Sequence, residues 1–270
     1  MKKKILIALL IVVIASVSVM AFAGCNQGVK VGFQTGTTGQ SYTEEYINLS
    51  PINYQNIANA VQDMVTGRID YVITDIAPAQ SIVNHENFAG KVKVIEIPLT
   101  DEIYCFAVNK DNDALKAQLN EFLLENSEKL KTLQAEYIAG TNEVKKIPSG
   151  NRNAENALIV ATNAEFAPFE YTIGNDYAGY DMEVIHMFCV ANGYELVIEN
   201  MDFDAVVQSV NTKKAHVGAA ALTFTEERAK QVNFTDKYYE STQVIICMAD
   251  DTTFDECKTR EDVEKILNSL

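Results

Sequence analysis

The chain reads as an α/β protein built of two lobes. Short β-branched runs alternate with amphipathic helical stretches along most of its length. That alternation pauses at 139–156 and then restarts. The length beyond the apolar leader suffices for two compact lobes, each with its own core. Strands alternating with helices favour mainly parallel sheets, whose ligands bind outside the carboxyl ends of the strands.

The elements follow in order. Val29–Phe33 is a short strand ending in the turn glycines Gly36 and Gly39, and Ser41–Ile47 is helical. Asn56–Thr66 carries Ile57, Ala60, Val61, Met64 and Val65 at helical spacing. Ile69–Thr74 is a β-branched strand, Pro78–Asn84 a helix, and Val92–Ile97 and Ile103–Val108 are strands. Asp113–Tyr137 holds Leu115, Leu119, Phe122, Leu123, Leu130 and Leu133, a long helical region expected to break near Asn126–Ser127. Ala139–Asn156 has Gly140, Pro148, Ser149 and Gly150 and no apolar period, so it reads as a flexible linker. A chain of that length spans roughly 20–25 Å on average. Beyond it come strands Ala157–Thr162, Glu195–Asn200, Val217–Ala221 and Thr242–Met248. Between them lie helices Met182–Asn192, Ala205–Asn211 and Glu226–Gln231.

The first residues form a targeting segment. Lys2, Lys3 and Lys4 precede an apolar run from Ile5 to about Val19, short for a membrane span, and small residues follow. The segment closes in Ala21-Phe-Ala-Gly-Cys25, which resembles a lipobox whose Cys25 would be lipidated; plain cleavage after Ala23 is the alternative. The formal charge of −15 argues against nucleic acid and against a polybasic membrane patch. No C-x-x-C spacing supports a zinc or redox motif, and no metal or cofactor is expected. His85, His186 and His216 stand in no catalytic context.

Two blocks carry a resemblance to a known family. One runs Ala161-Thr-Asn-Ala-Glu-Phe-Ala-Pro-Phe-Glu-Tyr171, Tyr177-Ala-Gly-Tyr-Asp-Met-Glu183, Met201-Asp-Phe-Asp204 and Ala219-Ala-Ala-Leu-Thr-Phe-Thr-Glu-Glu-Arg228. It resembles lobe one of the amino-acid-binding proteins of bacterial ABC importers. The other runs Val31-Gly-Phe-Gln-Thr-Gly-Thr-Thr38, Gly67-Arg-Ile-Asp-Tyr-Val-Ile-Thr-Asp75 and Ala77-Pro78, and resembles lobe two. The resemblance implies a type II periplasmic-binding-protein fold with two hinge strands. The blocks stand in the reverse of the family's order, so a circular permutation is expected; a fusion of two half-proteins is the rival. On that reading 1–24 is a signal peptide and 25–101 is lobe two. Residues 102–138 are a hinge strand and return helices, and 139–156 joins the old termini. Residues 157–245 are lobe one, and 246–270 lead back to lobe two. Cys105 and Cys247 would fall on hinge strands, where a disulfide is one possibility and buried free thiols the favoured one.

The implied function is capture of a free, polar L-amino acid between the lobes for an ABC permease. The protein would be a monomeric, non-enzymatic lipoprotein on the outer face of the membrane, touching the bilayer only through its lipid. Burying an amino acid requires pairing both its charges. Arg228, with a planar fork, suits the carboxylate. Thr37 and Thr38 lie in a glycine-bearing turn whose N–H groups and hydroxyls suit an anion, or else simply make the turn. Asp75, at a strand's carboxyl end, suits the ammonium or caps the next helix. The resemblance places Phe166 and Phe203 as an aromatic sandwich. It sets Asn163, Glu165 and Gln34 near the ligand side chain, and Ala221 and Thr223 beside the carboxylate. An amino-acid sensor and a cyclohexadienyl-dehydratase-like enzyme are the alternatives on the same fold.

Overall fold

A computed structural model describes residues 28–46 and 48–270, and the leader with Cys25 lies outside them. Two five-stranded sheets form the two lobes. In lobe two, β1 (Lys30–Gln34) pairs in parallel with β2 (Ser50–Tyr54) and β3 (Tyr71–Asp75). Next to β3 runs β15 (Gln243–Met248), antiparallel to both β3 and β4 (Val92–Ile95). In lobe one, β7 (Ala157–Thr162) pairs in parallel with β11 (Glu195–Asn200) and β12 (Val217–Gly218). There β6 (Ala107–Val108) runs antiparallel to β12 and β13 (Asn233–Phe234). The strand orders β2-β1-β3-β15-β4 and β11-β7-β12-β6-β13 are the same pattern written twice. Each lobe takes its antiparallel strand from the stretch of chain that has just left the other.

The two crossings travel together. Strands β5 (Glu102–Tyr104) and β14 (Tyr239–Ser241) form an antiparallel ribbon between the lobes. The two-lobed α/β expectation therefore describes the molecule. A small sheet of β8 (Glu165–Phe166), β9 (Glu170–Ile173) and β10 (Asp176–Ala178) leads into the helix Tyr180–Asn192 and has no counterpart in the sequence expectations.

The helices follow the apolar periodicity. They are α1 (Thr38–Glu44), α2 (Ile57–Val65), α3 (Ile76–Asn84), α4 (Asp113–Glu125) and α5 (Ser127–Ala139), then α6 (Tyr180–Asn192), α7 (Phe203–Asn211), α8 (Glu226–Ala229) and α9 (Arg260–Leu267). The break at Asn126 falls where the sequence puts it, and α5 ends on Gly140 in the left-handed conformation. Thr259 and Asp262 form a capping box at the head of α9, which buries Val263 and Leu267 in lobe two. Leu270 and Val29 pack on that same cluster, and Asn48 Nδ2 donates to Asn268 O at 2.8 Å.

Two expectations need correction, and the cysteines follow the favoured one. The stretch 139–156 is docked rather than free. Ile147 is buried, and it exchanges two backbone hydrogen bonds with Tyr177 at 2.8 and 2.9 Å. Ser149 Oγ accepts from Ile198 N, and Gly150 N donates to Leu196 O. One buried side chain and a few ladder bonds suffice to hold a segment that has no apolar period. The strand expected over Val217–Ala221 stops at Gly218, because the chain turns and Ala221 takes a positive φ of 46°. Among the described residues Cys105, Cys189, Cys247 and Cys257 are free. Cys105 belongs to a lobe-one cluster and Cys247 to a lobe-two cluster, so no bridge joins them. Burial pushes both thiols up to about 12.

Candidate functional site

The expected site residues gather where the lobes meet, around the β5–β14 ribbon. Arg228 projects from the short α8, whose N-cap Thr225 accepts from Arg228 N at 3.1 Å. Its guanidinium donates to Thr223 O within lobe one at 2.6 Å and to Gly36 O of lobe two at 2.9 Å. It lies over the Phe203 ring, 5.3 Å from the centroid. Both hydrogen-bonding partners are main-chain carbonyls; no carboxylate of the described residues pairs with it. Burial pulls its pKa below the ordinary value, while the more distant charges of Glu102 and Asp75 work the other way.

Arg228, Phe203, Thr37, Thr38 and Gly36 line one cavity of about 600 Å³ between the lobes. Gly36 has a φ of +81°, and a Cβ there would stand 2.9 Å from Asp204 Cβ, so glycine is what lets this turn approach α7. A second cavity of about 460 Å³ is more apolar and holds Phe166, Glu165 and Tyr171 of lobe one against Ile57, Pro78 and Phe88 of lobe two. Between them Gln34 Nε2 donates to Asn163 Oδ1 at 2.8 Å. Gln34 is followed by the turn of the first cavity, and its Nε2 also reaches Gln55 O, next to the α2 wall of the second. Asn163 likewise precedes Ala164 of the second cavity and donates to Met201 O, two residues before Phe203 of the first. The amide pair is thus a direct hydrogen bond between the lobes. The expected aromatic sandwich is divided, with Phe203 lining the first cavity and Phe166 the second.

Asp75 stands at the N-cap of α3 yet makes no capping bond. Its Oδ1 instead accepts from Tyr104 at 2.5 Å and from Ser241 at 3.2 Å, both on the ribbon. Burial, and then the neighbouring Glu102, push its carboxyl up to about 7.

The threonines behave differently from the sequence reading. Thr37 caps α1 by accepting from Gln40 N, and gives its own proton to Gln34 O at 2.7 Å. Thr38 gives its proton to Glu102 Oε2 at 3.0 Å, and Thr223 does the same at 2.7 Å. Neither hydroxyl of lobe two is left to donate to an anion. Ala221, expected to offer its N–H to a carboxylate, already donates it to Asp181 Oδ2 at 2.9 Å.

Sequence reasoning missed Glu102, Gln243, Tyr104 and Ser241. Their one signal is alternation on the ribbon, where exposed Asp101 precedes buried Glu102. It also missed Asp181 and Glu170, both fully buried. Asp181 Oδ2 takes Tyr238 Oη at 2.6 Å, while both Glu170 oxygens lack a partner. Two histidines are engaged by backbone, His85 with Asn87 N and His216 with Ile159 N.

Residues 158–270 match the family of bacterial extracellular solute-binding proteins, family 3. That match covers less than half of the chain. Arg228, Phe203, Phe166 and Asn163 lie within the matched span, and the Thr37–Asp75 wall of the crevice lies outside it. The arginine-binding extracellular protein of Bacillus subtilis is 33% identical over 102 residues, 38% of this chain and 40% of that one. An ABC transporter arginine-binding protein of Escherichia coli is 30% identical over 123 residues, 45% of this chain and 46% of that one. The chain thus spans less than half the length of these relatives. Among solved structures, an ancestral arginine-binding protein bound to glutamine is 33% identical over 32% of this chain and 39% of that chain, with a TM-score of 0.30. No helix among the described residues is long and apolar enough to cross a membrane.

Proposed function

We propose that the protein captures a free, polar L-amino acid in the crevice between its lobes and delivers it to an ABC importer. The observation that carries this is Arg228. A guanidinium held half-buried by two carbonyls, one from each lobe, keeps its net positive charge unmatched by any carboxylate in contact. A ligand carboxylate supplies that match and, by touching both lobes, favours their closed arrangement. Asp75, whose side chain makes no capping bond, is the matching partner for the ammonium group, whose charge favours the ionised carboxylate. Relatives named for arginine support a basic ligand, with Glu165 in the second cavity as its side-chain partner.

Several finer points belong to the same reading. The protein acts as a monomer and without catalysis, and it is tethered through lipid on Cys25, outside the described residues. Its order of segments is that of a circular permutant, supported by Leu270 and Val29 sharing one cluster and by two lobes of one strand pattern. The chain from Ala139 to Asn156 is then the join between the old termini.

The test is a thermal-shift and titration screen against the twenty amino acids, ornithine, cystine and small peptides. A ligand at 100 times its Kd adds about 2.7 kcal/mol. In a protein of this size that raises Tm by roughly 5–10 °C. Arg228→Ala is expected to abolish the shift while leaving the unliganded Tm within a few degrees. Absence of a shift with every compound, in a protein that unfolds cooperatively, overturns the reading.

A further inference from the structure

Glu102 lies on the ribbon strand β5, buried, and collects hydroxyl and amide protons from both lobes. Its Oε2 accepts from Thr38 of lobe two at 3.0 Å, from Thr223 of lobe one at 2.7 Å and from Gln243 Nε2 at 3.5 Å. Its Oε1 accepts from Thr100 at 2.8 Å. Gln243 Nε2 also donates to Thr38 Oγ1 at 3.1 Å. Among the described residues no lysine or arginine contacts this carboxylate; the titratable groups facing it are Arg228, Asp75 and Tyr104.

A threonine hydroxyl has one proton and two lone pairs. Once the proton points at Glu102, the oxygen presents only lone pairs to anything else. Thr38 and Thr223 are therefore turned into acceptors, beside an Asp75 carboxyl already supplied with two hydroxyl donors. Thr38 lines the Arg228 cavity, and Thr223 carries the carbonyl that holds Arg228.

We propose that Glu102 is a positioning residue that fixes the hydrogen-bond polarity of the crevice, so that it selects an α-ammonium group over an α-hydroxyl. An ammonium has three donors and no lone pair, and it meets acceptors throughout. An α-hydroxyl brings one donor, and its lone pairs then face the lone pairs of the threonines. Discrimination of this kind is large because a mismatched group is left unpaired in a buried site. The inference rests on the amino-acid reading above and adds which residue enforces it.

The experiment compares L-arginine with its 2-hydroxy analogue, in which a hydroxyl replaces the amine, by titration calorimetry. In the unmodified protein the amino acid is expected to bind more than 100-fold tighter. Glu102→Gln presents an amide that can both accept and donate, which frees the hydroxyls to turn. The ratio is expected to fall at least 10-fold. Thr223→Val deletes one turned hydroxyl while leaving the Glu102 side chain itself in place, and should lower the ratio as well if Glu102→Gln proves too unstable to measure. A residue that merely braces the ribbon weakens both ligands together and leaves the ratio unchanged, which overturns the inference alone. Failure of L-arginine and of all the other amino acids to bind overturns the amino-acid reading, and this inference with it.

Discussion

Asp181 shows how a buried acid in this protein sets a pH response. Burial pushes its carboxyl up to about 7, although Tyr238 and the Ala221 N–H pull it back. The fold therefore holds the protonated form, and an unfolded chain releases that proton near the ordinary carboxylate value of about 4. Its stabilising contribution is complete below that value and is lost as pH rises through about 7. Asp75, also pushed up to about 7, acts in the same sense, as does Glu170, which burial and the charge of Asp181 hold well above its usual range. Melting curves between pH 5 and pH 8 are expected to show a falling Tm, with a shallower fall in Asp181→Asn. An unchanged slope in that variant would show that Asp181 ionises freely in the fold. At this scale the sequence was partly legible. Arg228 stood out because its motif places a guanidinium at a strand-to-helix turn. Glu102 did not, because Thr100-Asp101-Glu102 reads as a solvated hinge, and only the third dimension brings Thr38, Thr223 and Gln243 around one oxygen.

The elements tell a similar story. Strands and helices with sustained periodicity fall where the sequence puts them, Ala157–Thr162 and Glu195–Asn200 among them. The small β8–β10 sheet was invisible because two- to four-residue strands carry no period to read. The stretch 139–156 was misjudged for a related reason. Its order depends on Ile147, one buried side chain among polar neighbours. Ile147→Ala should cost roughly 2–5 kcal/mol if the pocket does not collapse around it. Limited proteolysis should then cut between Gly140 and Asn156, where the unmodified chain resists. Equal resistance in the two proteins would mean that the backbone bonds to Tyr177, Leu196 and Ile198 are enough to hold the segment.

Over the whole molecule, two sheets of one pattern are interlocked through exchanged strands. The antiparallel β15 lies between β3 and β4, inside the lobe-two sheet rather than at its edge. A chain truncated after Ser241 therefore loses the strand that β4 pairs with, along with the α9 residues that fill the lobe-two core. Circular dichroism and hydrogen exchange are expected to find lobe two unfolded in that truncation. Retention of slow exchange in β1–β3 would show that the lobe needs neither. The same interlock makes separate melting of the lobes costly, so a single cooperative transition is expected of the intact chain.

The exchange also sets a timetable for synthesis. A ribosome delivers β6 before its partners β12 and β13, and β15 after its partners β3 and β4. The lobe-one sheet stays incomplete until Phe234 has been made, and the lobe-two sheet until Met248. Until then the nascent chain has no finished layer to settle into, and both lobes come within reach of completion almost together.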